Sequence, residues 1–500
     1  MAVRKRFDPY TTLVPVGILF LLFYLFLKHS QRSIDILLGL RNALSHYFGF
    51  YYTLVGLGLF CLSLYLAFSS YGQLKLGSCQ EPKYSNLTWG MMVFTSTMGA
   101  DILYWSLTEW IHYANEPHVQ KLGPVDRWAP TYPLFHWGPI PWSFYLIMAV
   151  IFGFQIHVRG LTRQRFSETC RPLLGNKTQG FLGKTVDLVA VLGLLAGATT
   201  TFTLVIPLLA QIVGEFFRLP ITNTLNLAVL LFIALLFLLM VYLGFQGISK
   251  LAKLASQLFI LLLLYVFLAS GEALFILETG IQSLGNLIQN FWTLATWLDP
   301  LRETDFTQKW TIFYWSYWLV WCVAIPFFIA LISEGRTIRT TILGGYAFGL
   351  LGTFSSFIVF GNYGLALQLR GKLDLINSLS EGVTPQELVL GIFQKLPGGD
   401  FGLVLLALTL LAFYTTIFDA LTMVLSFYTY QERQINEEPQ RGVRLFWSVL
   451  FLLMPIALLI SDSTLFSLQS IAIISAFPVG LVVLLAVMSF FKELKRTPPH

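Results

Sequence analysis

Long apolar blocks follow one another along this chain, separated only by short polar or charged breaks. A bilayer-crossing helix needs about 20 mostly apolar residues. By that rule the pattern predicts roughly twelve spans. They lie near 11–28, 49–70, 88–114, 133–157, 185–214, 223–245, 252–277, 309–333, 341–367, 401–430, 444–461 and 467–491. The first begins after "MAVRKRF" and carries no small-residue cleavage site, so a retained helix is expected and not a signal peptide. "IQSLGNLIQNFWTLATWL" (281–298) alternates apolar and polar residues at helical spacing. It predicts an amphipathic helix that lies on the membrane surface or packs across the bundle. The expected fold class is an all-α integral membrane protein forming one large domain.

Composition agrees with the pattern. The 500 residues are 56% hydrophobic and 12% charged, against about 25% charged in soluble domains. The net charge of +6 is best read through topology, since Lys and Arg collect in cytoplasmic loops. "HVRGLTRQRFSETCRPLLGNK" (157–177), "SKLAK" (249–253), "EGRTIR" (334–339), "YQERQINEEPQRGVR" (430–444) and "KELKRTPPH" (492–500) all fall on the side of the N-terminus. Both termini are therefore expected in the cytoplasm of a multi-pass protein of the inner or cytoplasmic membrane. The sequons at Asn86 and Asn176 fall on that side too and are not expected to be glycosylated. Cys61, Cys79, Cys170 and Cys322 are scattered without metal spacing and read as ordinary apolar residues. No GxxxxGK[ST] and no HExxH occurs, which argues against ATP-driven transport by this chain alone and against zinc proteolysis. No cofactor and no metal is expected.

Candidate chemistry gathers in three spans. "WTIFYWSYWLVW" (310–321) holds four tryptophans and two tyrosines. Tyr314, Tyr317, Trp318 and Trp321 recur at i, i+3, i+4 and i+7 and form one stripe of a helix, while Trp315 points elsewhere. The stripe sits near the middle of its span, whereas interfacial aromatic belts sit at span ends. A packing ridge or belt and a row of rings facing a cavity both remain open. "PLFHWGPIPWSFY" (133–145) sets Trp137, Trp142 and Tyr145 around Gly138, Pro139 and Pro141. The prolines remove two backbone donors and predict a bent helix. His136 is expected to be packed or hydrogen-bonded and not a metal ligand. "FTSTMGADILYWSLTEWIHY" (94–113) buries Asp101 and Glu109 in a span interrupted by Gly99 with Thr95, Ser96 and Thr97. Intramembrane carboxylates face bundle interiors or water paths, and unwound helices mark binding sites in many transporters. A structural carboxylate remains the alternative for Asp101. A row of Trp and Tyr faces suits a quaternary ammonium, which has no N–H to donate and spreads its charge over methyl groups.

The three stretches carry a resemblance. "WTIFYWSYWLVWCVAIPFFIALISEGRTIR" (310–339) resembles the signature helix of the betaine/choline/carnitine transporter (BCCT) family, and "FHWGPIPWSFY" (135–145) and "MGADILYWSLTEW" (98–110) resemble its fourth and third helices. Order, spacing and helix count agree from about 10 to 495. The resemblance implies a LeuT-type fold: two N-terminal helices (10–70), a first inverted repeat (88–279, helices 3–7), the surface helix (281–298) and a second repeat (309–492, helices 8–12). It implies an alternating-access secondary transporter and not an enzyme, since no nucleophile or acid pair is arranged for catalysis. A channel is disfavoured because a conducting pore needs weak sites in series. The substrate box it implies is Trp137, Trp142, Tyr145, Trp318 and Trp321, with Tyr317 where many members have Trp. It also implies a homotrimer in which 281–298 takes part.

The tract "HWGPIPW" resembles the carnitine/γ-butyrobetaine exchangers, but Ser256 stands where those carry an arginine. Sodium-coupled members carry a Thr-Ser pair where this chain has Thr416-Ile417, with Thr415 as a substitute hydroxyl. Leu331 and Glu334 replace two arginines of the signature. Asp101 replaces a small residue of betaine transporters and is shared with the family's choline transporters. These residues give Asp101, Thr415, Thr416 and Ser256 as coupling-ion candidates for sodium or a proton. The substrate reading leans to choline or another net cation. An exchanger of carnitine type and a sodium-coupled glycine betaine symporter are the alternatives.

Overall fold

The computed structural model describes residues 7–79, 81–97, 99–161, 163–242, 248–431, 439–460 and 465–496. The basic start "MAVRKR", part of 249–253 as to side chains, most of the 430–444 loop and the end of the tail lie outside the described residues. The described chain is helical almost throughout, with two isolated β-bridges and no named strand.

Two helices lead, α1 (Pro9–Lys28) and α2 (Ser30–Phe68). The third predicted span is two helices, α3 (Asn86–Thr97) and α4 (Ala100–Ala114). The fourth contains α5 (Thr131–His136) and α6 (Pro139–Gly153). Then follow α7 (Phe181–Phe217), α8 (Asn223–Tyr242), α9 (Ile248–Ala269) and α10 (Ala273–Thr296). The eighth span is α11 (Ile312–Trp321) with α12 (Ile325–Ile332). The ninth is α13 (Ile338–Ser356) running through a π-turn into α14 (Asn362–Leu369). Last come α15 (Gly399–Tyr428), α16 (Arg441–Ile460) and α17 (Leu465–Leu494). Among the described residues, eight stretches are long and apolar enough to cross a membrane, and two bent pairs raise that to ten. The α3–α4 pair and α8 occupy the two remaining predicted segments. This is a multi-pass membrane protein.

The departures from regular helix have local causes. Gly99 is extended (φ −90°, ψ −171°) between α3 and α4. A Cβ there would come within 2.4 Å of Ile417 Cδ1, so glycine lets α15 close on the break. α11 and α12 meet at 53°, across residues 322–324. The fourth span also differs from expectation. The chain does not bend through its prolines but stops at Trp137 and Gly138 and restarts. Pro139 and Pro141 sit in the first turn of α6, where a missing N–H breaks no helical bond. The amphipathic helix begins at Ala273, earlier than predicted, because α9 ends at Ala269 and the chain turns by 111° through Gly271 (φ +69°). One face of α10 is buried through Ile276, Gly280 and Asn286, and the other exposes Ile281, Ile288 and Trp292.

Besides the fourth span, the third and the eighth, α3–α4 and α11–α12, are broken, five spans apart. This is the discontinuity expected of a LeuT-type inverted repeat. Both described ends of the chain lie on one face. Asp8 caps α1 there and meets Arg165, and Glu493 near the end of α17 pairs with Arg159.

Arg165 closes that face. It is 3% exposed and donates to Asp8 (2.8 Å), Asp187 (3.0 Å) and the carbonyls of Tyr428 (3.3 Å) and Tyr430 (2.8 Å). α1, α7 and the end of α15 are thus tied to one guanidinium. Burial by itself would lower its pKa, but Asp187 and Asp8 outweigh burial and hold it above the ordinary arginine value. Removing one member of a buried ion cluster strands the others and costs about 3–5 kcal/mol. Arg165→Met should therefore lower the thermal unfolding temperature of the detergent-solubilised protein markedly. An unchanged melting curve would show that the cluster contributes nothing.

Candidate functional site

The stripe on α11 faces inward, and each of its rings has a distinct partner. Tyr314 stacks on His136 (centroids 4.9 Å, planes 17° apart). Tyr317 stacks on Phe313 (5.5 Å) and donates to Asp101. Trp318 lies at the centre of a ring cluster: Trp137 at 5.6 Å, Trp142 at 5.6 Å and Tyr145 at 4.8 Å. Trp142 and Tyr145 also meet edge to face at 6.3 Å. Trp315 points away, toward α2 and α5, against Gly56 and Phe135. The aromatic positions of the fourth and eighth spans therefore do converge.

Trp321 sits one turn farther along, against Gly197 of α7, whose Cβ would lie 3.1 Å from the indole. Trp142 is backed by Gly349 of α13, where a Cβ would come within 2.6 Å of the ring. Two glycines on two other spans thus give the indoles room. The cluster is closed to solvent, with Trp142 0%, Trp318 2% and Tyr145 3% exposed. The indole nitrogens of Trp142 and Trp318 are buried donors with no acceptor. A shallow pocket lies elsewhere, between Phe152, Gln155, Arg163 and Thr169 on the face of the termini. It holds none of the predicted residues.

Asp101 is in the first turn of α4, directly after the break, and is 6% exposed. Its Oδ2 accepts from Thr201 Oγ1 (2.8 Å) and from Tyr317 Oη, and those two hydroxyls are 2.8 Å apart. Its Oδ1 is buried without a partner. None of the ion pairs among the described residues includes it. Tyr317 adjoins Trp318 in the chain, so one turn of α11 touches both the carboxylate and the rings.

The other coupling-ion candidates are not gathered at this carboxylate. Thr415 and Thr416 direct their hydroxyls back along α15, to the carbonyls of Leu411 (2.7 Å) and Ala412 (2.8 Å). The next residue, Ile417, places its methyl against the Gly99 break. Ser256 is buried on α9. Leu331 and Glu334 lie at the end of the eighth span, where Cys79 donates to Glu334. Arg336 stacks over Trp89 (4.5 Å) and donates to Asn86 (2.6 Å) and the Tyr84 carbonyl (2.7 Å).

Sequence reasoning missed Thr201, Gly197 and Gly349. The run "ATTTF" (198–202) in an apolar span was a usable signal for Thr201. The glycines gave none, since their role lies in what packs over them from another span. Glu109 and His136 were noticed, but their connection was not. Glu109 accepts from Trp137 Nε1 (2.8 Å) and from Tyr113 Oη (2.5 Å), and Tyr113 Oη meets His136 Nδ1 at 2.6 Å.

Known proteins resemble this chain over most of its length. A carnitine transporter of Acinetobacter baumannii is 27% identical over 445 residues, covering 87% of this chain and 80% of that protein. An uncharacterized transporter, YeaV, of Escherichia coli is 28% identical, covering 87% and 91%. The glycine betaine transporter OpuD of Bacillus subtilis is 31% identical over 459 residues, covering 90% and 87%. A solved Na+-coupled sialic acid symporter is similar at TM-score 0.40 and 11% identity, covering 91% of this chain and 84% of that one. Residues 10–499 match the family described as BCCT, betaine/carnitine/choline family transporter. The chain belongs to this family of membrane transporters and is not an enzyme.

Proposed function

We propose that this protein moves a quaternary ammonium compound across the cytoplasmic membrane by alternating access, and that its preferred substrate is choline-like or otherwise a net cation. The observation that carries the substrate reading is Asp101. A buried carboxylate with one oxygen unpartnered is costly unless a cation completes it. A zwitterion such as betaine or carnitine brings its own carboxylate, whereas choline brings only charge of the missing sign. In this reading the ammonium head sits among Trp137, Trp142, Tyr145 and Trp318, with Trp321 and Tyr317 at its border. The closed ring cluster is then the state between openings, and α4 and α11 move against the scaffold to open either side. Asp101 alternatively takes up a proton as coupling charge.

A second reading is a zwitterionic substrate, handled by exchange or by sodium symport. It is favoured by the two buried indole donors without acceptors, Trp142 and Trp318, which could bind a substrate carboxylate. It is also favoured by the names of the carnitine and glycine betaine relatives. Against sodium symport, Ile417 supplies a methyl where sodium-coupled members have a hydroxyl. In either reading the basic loops support a cytoplasmic location for both termini. A homotrimer would use the outward face of α10, with Ile281, Ile288 and Trp292.

Two measurements test this. Loss of one desolvated cation–π partner costs about 2 kcal/mol, roughly thirtyfold in Kd. Trp318→Ala should weaken choline binding by that amount, and Trp321→Ala by less. Equal binding by wild type and Trp318→Ala would remove the ring cluster from the site. In proteoliposomes, Asp101→Gly should depress choline uptake far more than betaine or carnitine uptake. Unchanged choline uptake in Asp101→Gly defeats the cation reading, and carnitine or betaine movement only against internal substrate establishes exchange.

A further inference from the structure

A second buried carboxylate stands on the same helix, eight residues beyond Asp101. Glu109 is 0% exposed, yet it forms no ion pair with a Lys or Arg among the described residues. Its two oxygens are taken by different donors. Trp137 Nε1 donates to Oε2 (2.8 Å), and Tyr113 Oη lies 2.5 Å from Oε1. From there the chain continues through His136. Tyr113 Oη is 2.6 Å from Nδ1, and Nε2 is 3.0 Å from Thr311 Oγ1. His136 is itself 0% exposed, and its Nδ1 is 3.8 Å from Glu109 Oε1.

The groups facing this chain come from every packed element. Tyr132 of α5 meets the rings of Tyr113 and His136, and Tyr314 of α11 stacks on His136. Farther out, His118 bonds Tyr132 (2.7 Å), Glu116 accepts from Trp310 (2.7 Å), and His112 lies against Trp105 and Trp310. Among the described residues no Lys or Arg pairs with Glu109.

We propose that Glu109, Tyr113 and His136 form a proton-binding site whose charge is transmitted to the ring cluster through Trp137. The two forms balance by one proton. In the empty form the Glu109 carboxylate accepts from Tyr113 O–H and Trp137 N–H. His136 is neutral with its hydrogen on Nδ1, donating to Tyr113 Oη, and Nε2 accepts from Thr311. In the loaded form a proton has arrived on Nε2, which donates to Thr311 Oγ1. The Nδ1 hydrogen has passed to Tyr113 Oη, and the former Tyr113 hydrogen has passed to Glu109 Oε1. Every bond survives with its direction reversed except Trp137 N–H to Oε2, and the net charge rises from −1 to 0.

Trp137 reads that charge. An indole N–H donating to an anion is a strong, charge-assisted bond that leaves the ring richer in electrons and better able to hold a cation. Proton and cation therefore compete, and the competition is reciprocal. Cation affinity falls as pH drops through the site's titration, by at most about tenfold per pH unit, and cation binding expels the proton. This second half rests on the reading of the ring cluster as a quaternary ammonium site. The proton site itself does not.

The test uses the purified full-length protein. First, infrared difference spectra are recorded on acidification without substrate. A protonated-carboxyl C=O band should appear, vanish in Glu109→Gln, persist in Asp101→Asn, and shift its midpoint in Tyr113→Phe, where the relay oxygen is gone. A band untouched by Glu109→Gln overturns the proposal, and a Tyr113→Phe midpoint equal to wild type overturns the relay. Second, choline is added in weak buffer with a pH indicator. Wild type should release a proton on binding, and Glu109→Gln should bind choline without releasing one. Release that survives in Glu109→Gln overturns the link to Trp137. If wild type binds no choline, the substrate reading fails, while the infrared arm still decides the proton site.

Discussion

A backbone at membrane depth cannot leave N–H and C=O groups to lipid, and this protein interrupts three of its spans there. Each interruption is sealed by something specific. At Gly99 the sealing element is α15, brought close by Ile417 because no Cβ stands in its way. At Gly138 the loose end is taken up locally, with Trp137 N–H bonding the Pro133 carbonyl (2.9 Å) and Gly138 N–H the Phe135 carbonyl (3.2 Å). At residues 322–324 the chain tightens, with bonds from Cys322 to Leu319 and from Ala324 to Trp321 (both 3.1 Å). The three breaks lie beside Asp101, Trp137 and Trp321, so the places where the helix gives way are the places where the candidate chemistry is presented.

The charge at these breaks follows the same logic. Asp101 is in the first turn of α4, where exposed N–H groups and the helix dipole favour an anion. Two hydroxyls satisfy one oxygen, and the other is left without a partner. Glu109 is the contrasting case: both of its oxygens accept bonds from neighbours. One carboxylate is incomplete and one is complete, on one helix. This difference makes Asp101 the natural counter-charge for something that comes and goes. Glu109 is instead suited to exchange a proton with the neighbours that already hold it.

Much of this was legible in the sequence. The apolar blocks mark the spans, and the i, i+3, i+4, i+7 stripe at 314–321 gives the inward face of α11, because helical period and side-chain burial are local matters. Gly99 beside three hydroxyl residues announces a break for the same reason. What could not be read is what depends on a partner far away in the chain. Thr201 matters because Asp101 and Tyr317 reach it from two other spans, and Gly349 because Trp142 lies across it. The prolines at 139 and 141 misled for a related reason. A proline reads as a bend inside a helix or as the first turn of a new one, and only the extended backbone at Gly138 decides between them.

The glycines behind the tryptophans bear on how a closed cluster can open. Trp142 rests on Gly349, and Trp321 on Gly197. An indole over a glycine has no side chain beneath it to interlock with, so it can slide or turn at little cost in packing. Trp318, by contrast, is wedged among three other rings. It sits near the end of α11, next to the 53° bend. Motion at that bend would therefore carry Trp318 as a unit with Tyr317, while Trp142 and Trp321 readjust on their glycine beds. Because Tyr317 also holds Asp101, the movement that opens the rings must also disturb the hydrogen bonds of the carboxylate. Through Tyr317 the ring cluster and the hydrogen bonds of Asp101 are thus tied to one turn of one helix.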